Sequence, residues 1–228
     1  MFESKVALLV RIASNPVGAE LLLQAGLMAR LAEFSVLDLR PEPEPALLAG
    51  TSEDGGAGAG LSRYHSILFP VLRLCQAVLS SLGADNVSAA AQTAQFLAGH
   101  EEVVSLVLRG AAARSSLAPA LLQELALLSA VVSRAAVLDT ATATAAPDCA
   151  GLELAGQLGR LQRQMLGLLQ QFQLGEPLVQ SLAAAPQTAT LLVLQIITNA
   201  TAFARTLLAA APSPRSTKLL VSPVRTLR

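Results

Sequence analysis

The chain has 228 residues, of which 53% are hydrophobic and 14% charged, so it carries ample apolar material for a core and lacks the composition of a disordered protein. Lys and Arg together balance Asp and Glu at 16 each, which excludes a global field that would recruit nucleic acid or an anionic membrane. Leu and Ala dominate the apolar residues, and the β-branched and aromatic runs typical of strands are scarce. The composition therefore predicts an all-α protein.

The start of the chain predicts three short helices, at residues 2–13, 16–25 and 27–35. Asn15 can cap the second of these helices, and Pro16 can occupy its first position. Gly26 suits the left-handed backbone position that follows a helix end. Residues 40–60 then contain prolines, acidic residues and the run GGAGAG, and bury nothing that would offset the entropy of ordering. We predict a disordered loop at about 41–60.

The middle of the chain predicts four helices, at 61–82, about 86–98, 100–109 and 117–138. Pro70 either kinks the first of them or marks the first turn of its main part. Gly99 separates the second helix from the third, and the segment AAARSS forms a linker to the fourth. Few polar residues interrupt the apolar stripes of the fourth helix, among them Glu124 and Arg134. A helix apolar on most of its circumference must be covered from more than one side, as an inner helix of a stacked array is.

The last third predicts a loop at 139–149 and helices at 150–172 and 187–210, followed by a basic segment. Eight or nine helices joined by short turns suggest helical hairpins stacked side by side. No clean period of 33–47 residues occurs, which argues against ankyrin and tetratricopeptide arrays. The sequence predicts an irregular HEAT- or armadillo-like α-solenoid over 1–211 and a basic disordered tail at 212–228.

Residues that could carry catalysis are few. We expect surface or capping positions for His65 and His100, and a buried hydrophobic position for Cys75. No Ser-His-Asp or Cys-His arrangement can be assembled, and the cysteines have no metal-ligand spacing. The GGAGAG run lacks the Lys and Ser or Thr of a phosphate loop. We therefore expect no enzyme activity, no cofactor or metal site, and no direct nucleic-acid binding.

A membrane span is not expected either. The start of the chain carries charges and lacks the apolar region of a signal peptide. The best candidate span lies between Glu176 and Arg205, but its apolar part at 191–197 is shorter than the ~20 residues that a bilayer needs. The glycosylation sequons at Asn86 and Asn199 are interpreted as chance matches.

The passage GAELLLQAGLMARLAEFSVLDLRPE at 18–42 is distinctive. It resembles the C-terminal solenoid of the large inner-ring scaffold nucleoporins, the nucleoporin 205 family. The similarity resumes at Arg63-Tyr64, in ILFPVLRLCQAVLSS at 67–81 and in LLQELALLSAVVSRAA at 121–136. It also includes the passage from Gln95 to His100. Together these passages spread the resemblance over residues 1–138.

The resemblance implies a structural role in the inner ring of the nuclear pore complex, at the nuclear envelope, in support of pore assembly and nucleocytoplasmic transport. Its partners would be other nucleoporins, with a linker nucleoporin helix bound in a solenoid groove. The chain would be the C-terminal portion of such a solenoid, and the apolar residues 6–12 would then be covered by an earlier repeat. The alternatives are a generic cytosolic helical-repeat adaptor and, less favoured, a membrane-associated helical protein.

Two serines of the basic tail are candidate phosphorylation sites. Ser222 lies in a Ser-Pro-x-basic pattern, which proline-directed kinases recognise, and Ser213 precedes Pro214 in a weaker match. A phosphate adds about −1.5 to −2 charges and would weaken the docking of a basic tail to an acidic partner. An unmodified, solvated tail is the alternative.

Overall fold

The computed structural model describes residues 2–43, 59–83, 86–110, 118–135, 149–172 and 176–209. These residues form ten α-helices, one 3-10 helix and no strand. In chain order they are α1 (Phe2–Ala13), α2 (Pro16–Gln24), α3 (Leu27–Ala32), the 3-10 helix (Ser35–Asp38), α4 (Ala59–Leu82), α5 (Val87–Gly99), α6 (Glu101–Gly110), α7 (Pro119–Ala135), α8 (Cys149–Gln171), α9 (Glu176–Ala184) and α10 (Gln187–Ala209).

The residues predicted to separate the first helices lie at the helix boundaries in the structure. The side chain of Asn15 accepts a hydrogen bond from the backbone N–H of Val17 at 2.9 Å, and Pro16 opens α2. Gly26 has a φ of 75° and precedes α3. The third helix ends at Ala32, earlier than predicted, because the ψ of 78° at Phe34 leaves the helical region.

Helix α4 runs without interruption through Pro70. The prediction that Pro70 marks the first turn of the main helix is therefore wrong, since the helix already begins at Ala59. One face of α4 packs against α1 and α2, and it also contacts α5 and α7. Most of the apolar residues in its second half are buried.

Helix α7 is the centre of the fold. It packs against α4, α5, α6, α8 and α10, and eleven of its 17 residues are buried. The prediction of an inner helix covered from several sides is confirmed. Its neighbours in turn carry the outer helices: α1 and α2 lie on α4, α3 lies on α5, and α6 lies on α8. One continuous core extends from Val6 to Leu207, and the chain is an irregular all-α solenoid.

The last two helices differ in how well the sequence predicts them. Helix α10 buries the face expected of it, with Val193, Ile196 and Phe203 fully enclosed against α7 and α8. Helix α9 was not predicted, because the sequence analysis places no helix between residues 172 and 187. Most of the predicted loops at 41–60 and 139–149, the linker AAARSS and the tail at 212–228 lie outside the described residues.

Among the helices that the structure describes, two are long and apolar enough to cross a membrane by length and composition, α4 and α10. The pair α1 and α2 also passes that test when taken together, with a bend of 119° between them. Within the protein, 44% of the apolar window of α4 and 28% of that of α10 is buried. The expectation that no segment spans a membrane thus stays a prediction.

Candidate functional site

A groove of about 500 Å³ lies where α4, α5, α7 and α10 meet. Its walls carry mostly small side chains and hydroxyl groups, including Ser80, Ser133 and Thr206, with Leu79 as an apolar contact. Arg134 is the one charged residue among the described lining residues. Its Nη1 donates a hydrogen bond to Ser80 Oγ, which links α7 to the end of α4 beside the groove.

A second groove of about 310 Å³ follows the outer side of α10. It is lined by Ile197, Thr201 and Arg205, and it shares Thr198 and Ala202 with the first groove. The shared residues make the two grooves continuous along α10. The first groove lies between helices, where the binding sites of helical bundles and repeat proteins usually occur, whereas the described residues that line the second groove all belong to α10.

Asn199 holds α10 in the position that forms the first groove. Its Nδ2 donates to the backbone carbonyl of Ala126 at 3.1 Å and to Ser129 Oγ at 3.0 Å, both on α7. In the sequence this residue is visible only as part of a glycosylation sequon. The structure instead places its amide between two packed helices, and Asn86 likewise caps α5 by accepting from the N–H of Ala89.

A buried ion pair joins the segment after the 3-10 helix to α7. Arg40 donates from Nε and Nη2 to the two carboxylate oxygens of Glu124, each at 2.8 Å. The side chains are 2% and 0% exposed. Burial raises the pKa of Glu124, but the hydrogen bonds and charge of Arg40, together with nearby His65, outweigh it and leave that pKa below its usual value. The expectation that residues 40–60 bury nothing is wrong at Arg40.

Both histidines occupy buried positions, so the expectation of surface positions for them is wrong. The Nε2 of His65 lies 3.6 Å from a carboxylate oxygen of Glu124, and its ring stacks on Phe69. His100 occupies the C-cap position of α5, which agrees with the predicted capping position, but the residue is buried and only 4% exposed. Its Nδ1 lies 2.7 Å from Asp38, and its Nε2 lies 2.9 Å from the carbonyl oxygen of Leu31.

The contacts of Arg40 with Glu124 and of His100 with Asp38 both attach the segment around the 3-10 helix to the main stack. Tyr64 on α4 adds another by donating its hydroxyl to the carbonyl of Leu37 at 2.8 Å. A signal in the sequence could have indicated the cluster, because Glu124 falls on the same helix face as Leu121 and Leu128. A carboxylate in an apolar stripe requires a buried partner.

The remaining candidate residues are Cys75 and the two serines of the tail. Cys75 is fully buried, as predicted, and burial raises the pKa of its thiol to about 12, so the reactive thiolate is suppressed. In the parts of the chain that the structure describes, no three His, Cys, Asp or Glu side chains come together to hold a metal ion. Ser213 and Ser222 lie outside those parts.

Comparison with known proteins agrees with the helical stack. The family model described as nuclear pore complex scaffold, nucleoporins 186/192/205, matches residues 1–136. Human nuclear pore complex protein Nup205 is 38% identical over 174 residues, covering 75% of this chain and 8% of that protein. Nup205 of Drosophila melanogaster is 35% identical over 179 residues, covering 78% and 8%. The chain thus spans about 8% of the length of these relatives, and it belongs to the family of nuclear pore scaffold nucleoporins 186, 192 and 205.

Proposed function

We propose that the chain is a structural scaffold segment of the inner ring of the nuclear pore complex at the nuclear envelope. The observation that carries this proposal is the family match over residues 1–136, together with the identity of 35–38% to two Nup205 proteins. The chain acts through its surfaces and has no catalytic role or cofactor. It supports pore assembly and nucleocytoplasmic transport as one portion of a longer helical stack.

Its partners are other nucleoporins, and a linker nucleoporin helix binds in a groove of the stack. The first groove and its continuation along α10 are the candidate surface, because the first groove lies where four helices meet and both offer hydroxyl groups and apolar contacts. A second surface lies at α1 and α2, where Leu8, Val17 and Leu21 are each more than half exposed. Exposed apolar side chains on a helical unit fit a face that another unit covers.

The two long apolar helices serve packing and do not cross a membrane. Helix α4 is enclosed by α1, α2 and α7, and α10 buries one whole face against α7 and α8. The side of α10 that does not pack on protein carries the exposed polar residues Gln195, Thr201 and Arg205, which are costly to place in hydrocarbon. Alkaline carbonate extraction of membranes checks this, because a peripheral scaffold is released and a spanning protein is retained.

Fluorescent tagging of the full chain at its native expression level tests the scaffold role. The proposal expects a punctate nuclear rim that coincides with a nucleoporin marker. A diffuse cytosolic signal would instead support a generic helical adaptor, and a reticular signal would support a membrane-associated protein. Either of these two patterns would overturn the proposal.

The basic tail at 212–228 is the candidate regulatory segment, with phosphorylation at Ser222 and more weakly at Ser213. Four basic residues and no acidic one occur there, so a phosphate would offset much of the positive charge near each serine. Phosphopeptide mapping of mitotic and interphase cells should show occupancy at Ser222 in mitosis. Absence of the modified peptide, with the unmodified peptide detected, would contradict this.

A further inference from the structure

The ring of His100 is held between two oxygen atoms that act as acceptors. Its Nδ1 lies 2.7 Å from Oδ1 of Asp38, and its Nε2 lies 2.9 Å from the carbonyl oxygen of Leu31. At these distances both contacts are hydrogen bonds. A carbonyl oxygen can only accept a hydrogen bond, and an ionised carboxylate likewise has no proton to donate. Both ring nitrogens of His100 are therefore the donors.

A neutral imidazole cannot make both of these hydrogen bonds, because it carries a single N–H. Its other nitrogen would direct a lone pair at an oxygen atom, in a residue that is only 4% exposed. The doubly protonated imidazolium donates to both oxygens. A proton on Asp38 would be the alternative, but that side chain is 47% exposed, so its carboxylate stays hydrated when ionised. The geometry thus favours the ring as the site of the proton.

The surroundings of the ring also suit a buried cation. The end of α3 comes close to the end of α5, since a Cβ on Gly99 would lie 3.2 Å from the carbonyl oxygen of Ala32. Carbonyl groups at a helix end carry partial negative charge, which favours a cation beside them. Phe96 packs against the ring, with 5.2 Å between the ring centroids, and separates it from solvent. The cation is therefore matched by a carboxylate and by backbone dipoles.

Asp38 is the charged side chain in hydrogen-bond contact with this ring among the described residues. The other charged or titratable side chains on the elements around α5 and the 3-10 helix are exposed or engaged elsewhere. Exposed are Arg30, Glu33, Arg63, Arg73, Glu102, Arg109 and Arg163. Engaged elsewhere or buried as neutral groups are Arg40, Tyr64, His65 and Glu124 in the ion-pair cluster, Glu101 with Arg160, Arg134 with Ser80, and Cys75.

We infer that His100 is an imidazolium cation that fastens the end of α3 and the 3-10 helix to α5, and that this attachment weakens when the ring loses its second proton. The residue is well placed for this, because it occupies the C-cap of α5 and its carbonyl accepts the N–H of Val104 in α6. One proton thus affects how four consecutive parts of the stack are joined. The inference goes beyond the scaffold role and does not depend on it.

The direction of the pH dependence follows from where the proton is bound. Histidines of an unfolded chain are mostly neutral above about pH 6.5. The folded chain binds one proton more there, so the contribution of His100 is complete in mild acid and is lost as the pH rises. The pKa of Glu124 is lowered from 4.5, so its contribution is lost in the opposite direction, as the pH falls below that value. Stability from these two groups is therefore greatest between the two ranges.

Heteronuclear NMR of the chain with isotope-labelled histidine tests the charge directly, at about pH 7.5. The chain has two histidines, so His100→Gln identifies the His100 signals by their absence. Both ring nitrogens of His100 should show the shifts of a protonated imidazolium in the folded chain. They should show mostly neutral shifts after unfolding in urea. A folded chain in which one of these nitrogens carries no proton would overturn the inference.

Asp38→Asn separates the charge from the packing. The amide has nearly the same size as the carboxylate, and its Nδ2 can donate to Nδ1 of a neutral ring that keeps its proton on Nε2. The His100 ring of this variant should therefore be neutral at the same pH. Glu102→Gln is the matched control, because that carboxylate is exposed two residues from His100. Its His100 ring should remain an imidazolium, and a neutral ring in both variants would contradict the role of Asp38.

Urea denaturation measures the consequence for stability. Between about pH 6 and about pH 8.5 the midpoint of the unaltered chain should fall by about 0.5 M. The fall should be less than half as large for Asp38→Asn and unchanged for Glu102→Gln. Since His65 is present in all three chains, the difference between them isolates His100. Equal falls in all three would overturn the inference.

Hydrogen exchange measured by mass spectrometry locates the attachment. After correction for the intrinsic exchange rate, exchange at residues 27–38 of the unaltered chain should rise between the same two pH values, whereas α10 should change little. Asp38→Asn should show no such rise at 27–38. A rise of equal size in α10 would contradict a local attachment at His100.

Discussion

Arg40 and Glu124 form a two-pronged ion pair at a place where both side chains are almost completely removed from water. Such a pair contributes little over an apolar pair of the same shape, yet leaving one charge alone is costly. The pair therefore fixes where the segment after the 3-10 helix attaches to α7 rather than adding much net stability. His65 shares the same carboxylate at 3.6 Å and stacks on Phe69, so α4 joins the same cluster.

Arg40→Met should lower the free energy of unfolding by about 3–5 kcal/mol, because Glu124 would stay buried without its partner. Urea denaturation of the purified chain, followed by circular dichroism, measures this. The double variant Arg40→Met with Glu124→Leu should regain most of the loss, since neither charge is then buried. Arg30→Met is the control, and as an exposed substitution it should change stability by less than about 0.5 kcal/mol. Equal effects of Arg40→Met and Arg30→Met would refute the role of the pair.

The lowered pKa of Glu124 predicts a loss of stability in acid. Because the folded pKa lies below the ordinary value of 4.5, the contribution of Glu124 is complete above that value and is lost as the pH falls below it through the folded pKa. Urea midpoints at about pH 7 and about pH 3 should differ more for the unaltered chain than for Glu124→Gln. Glu101→Gln is the comparison, because Arg160 also lowers the pKa of Glu101, but that pair is partly open to solvent, with the Arg160 side chain 50% and the Glu101 side chain 17% exposed, and should change the pH dependence less. A pH dependence identical in the chain and Glu124→Gln would count against this explanation.

At the scale of helices, close packing depends on small residues and on one amide. The start of α2 meets the end of α1 at Gly18, where a Cβ would lie 2.2 Å from the carbonyl oxygen of Ile12. Asn199 joins α10 to α7 with two hydrogen bonds. The Gly18 contact limits how α1 and α2 can be arranged, and the Asn199 contact fixes α10 against α7 beside the first groove.

Gly18→Ala should destabilise the chain by about 1–3 kcal/mol, because the added methyl group meets backbone that cannot move without shifting a helix. Thermal melting followed by circular dichroism measures the change. Gly159→Ala provides the matched control, since nothing lies within 4 Å of a Cβ there and the residue is inside α8. That substitution should leave stability unchanged or raise it by about 0.5–1 kcal/mol. If Gly159→Ala destabilised the chain more than Gly18→Ala, the contact between α1 and α2 would be looser than described.

Asn199→Ala should cost about 1–2 kcal/mol and should increase hydrogen exchange in α10 more than in α4. Its two donated hydrogen bonds would be lost, while the buried apolar seam of α10 would stay in place. The neighbouring substitution Thr198→Ala should have almost no effect, since that exposed hydroxyl bonds only within its own helix. Hydrogen exchange measured by mass spectrometry separates the two, and a uniform increase over the whole chain would argue against a local role of Asn199.

At the scale of the whole molecule, periodic patterns predicted the helices well and long-range polar contacts poorly. The apolar stripes of 117–138 indicated a helix covered from several sides, and α7 is such a helix. The signals Asn15, Pro16 and Gly26 predicted local breaks, because each acts within a few residues. The partners Arg40 and Glu124 are 84 residues apart, so no local pattern could pair them.

The candidate surface was only partly predictable for the same reason. The sequence gives the polar residues opposite the buried face of α10, but the groove also needs α4, α5 and α7, whose arrangement is set by packing. Helix α9 was not predicted because a helix of nine residues is too short to show a clear apolar period. The assignment to the pore scaffold family came from a resemblance over 1–138, and the family model matches 1–136.

The most direct test of the central claim is affinity purification of the chain, tagged at its native locus, with quantitative mass spectrometry against an untagged control. A scaffold segment of the nuclear pore should enrich several nucleoporins together, and reversible crosslinking before lysis should increase their yield. Purification of a well-expressed chain that enriches no nucleoporin, with or without crosslinking, would contradict the account.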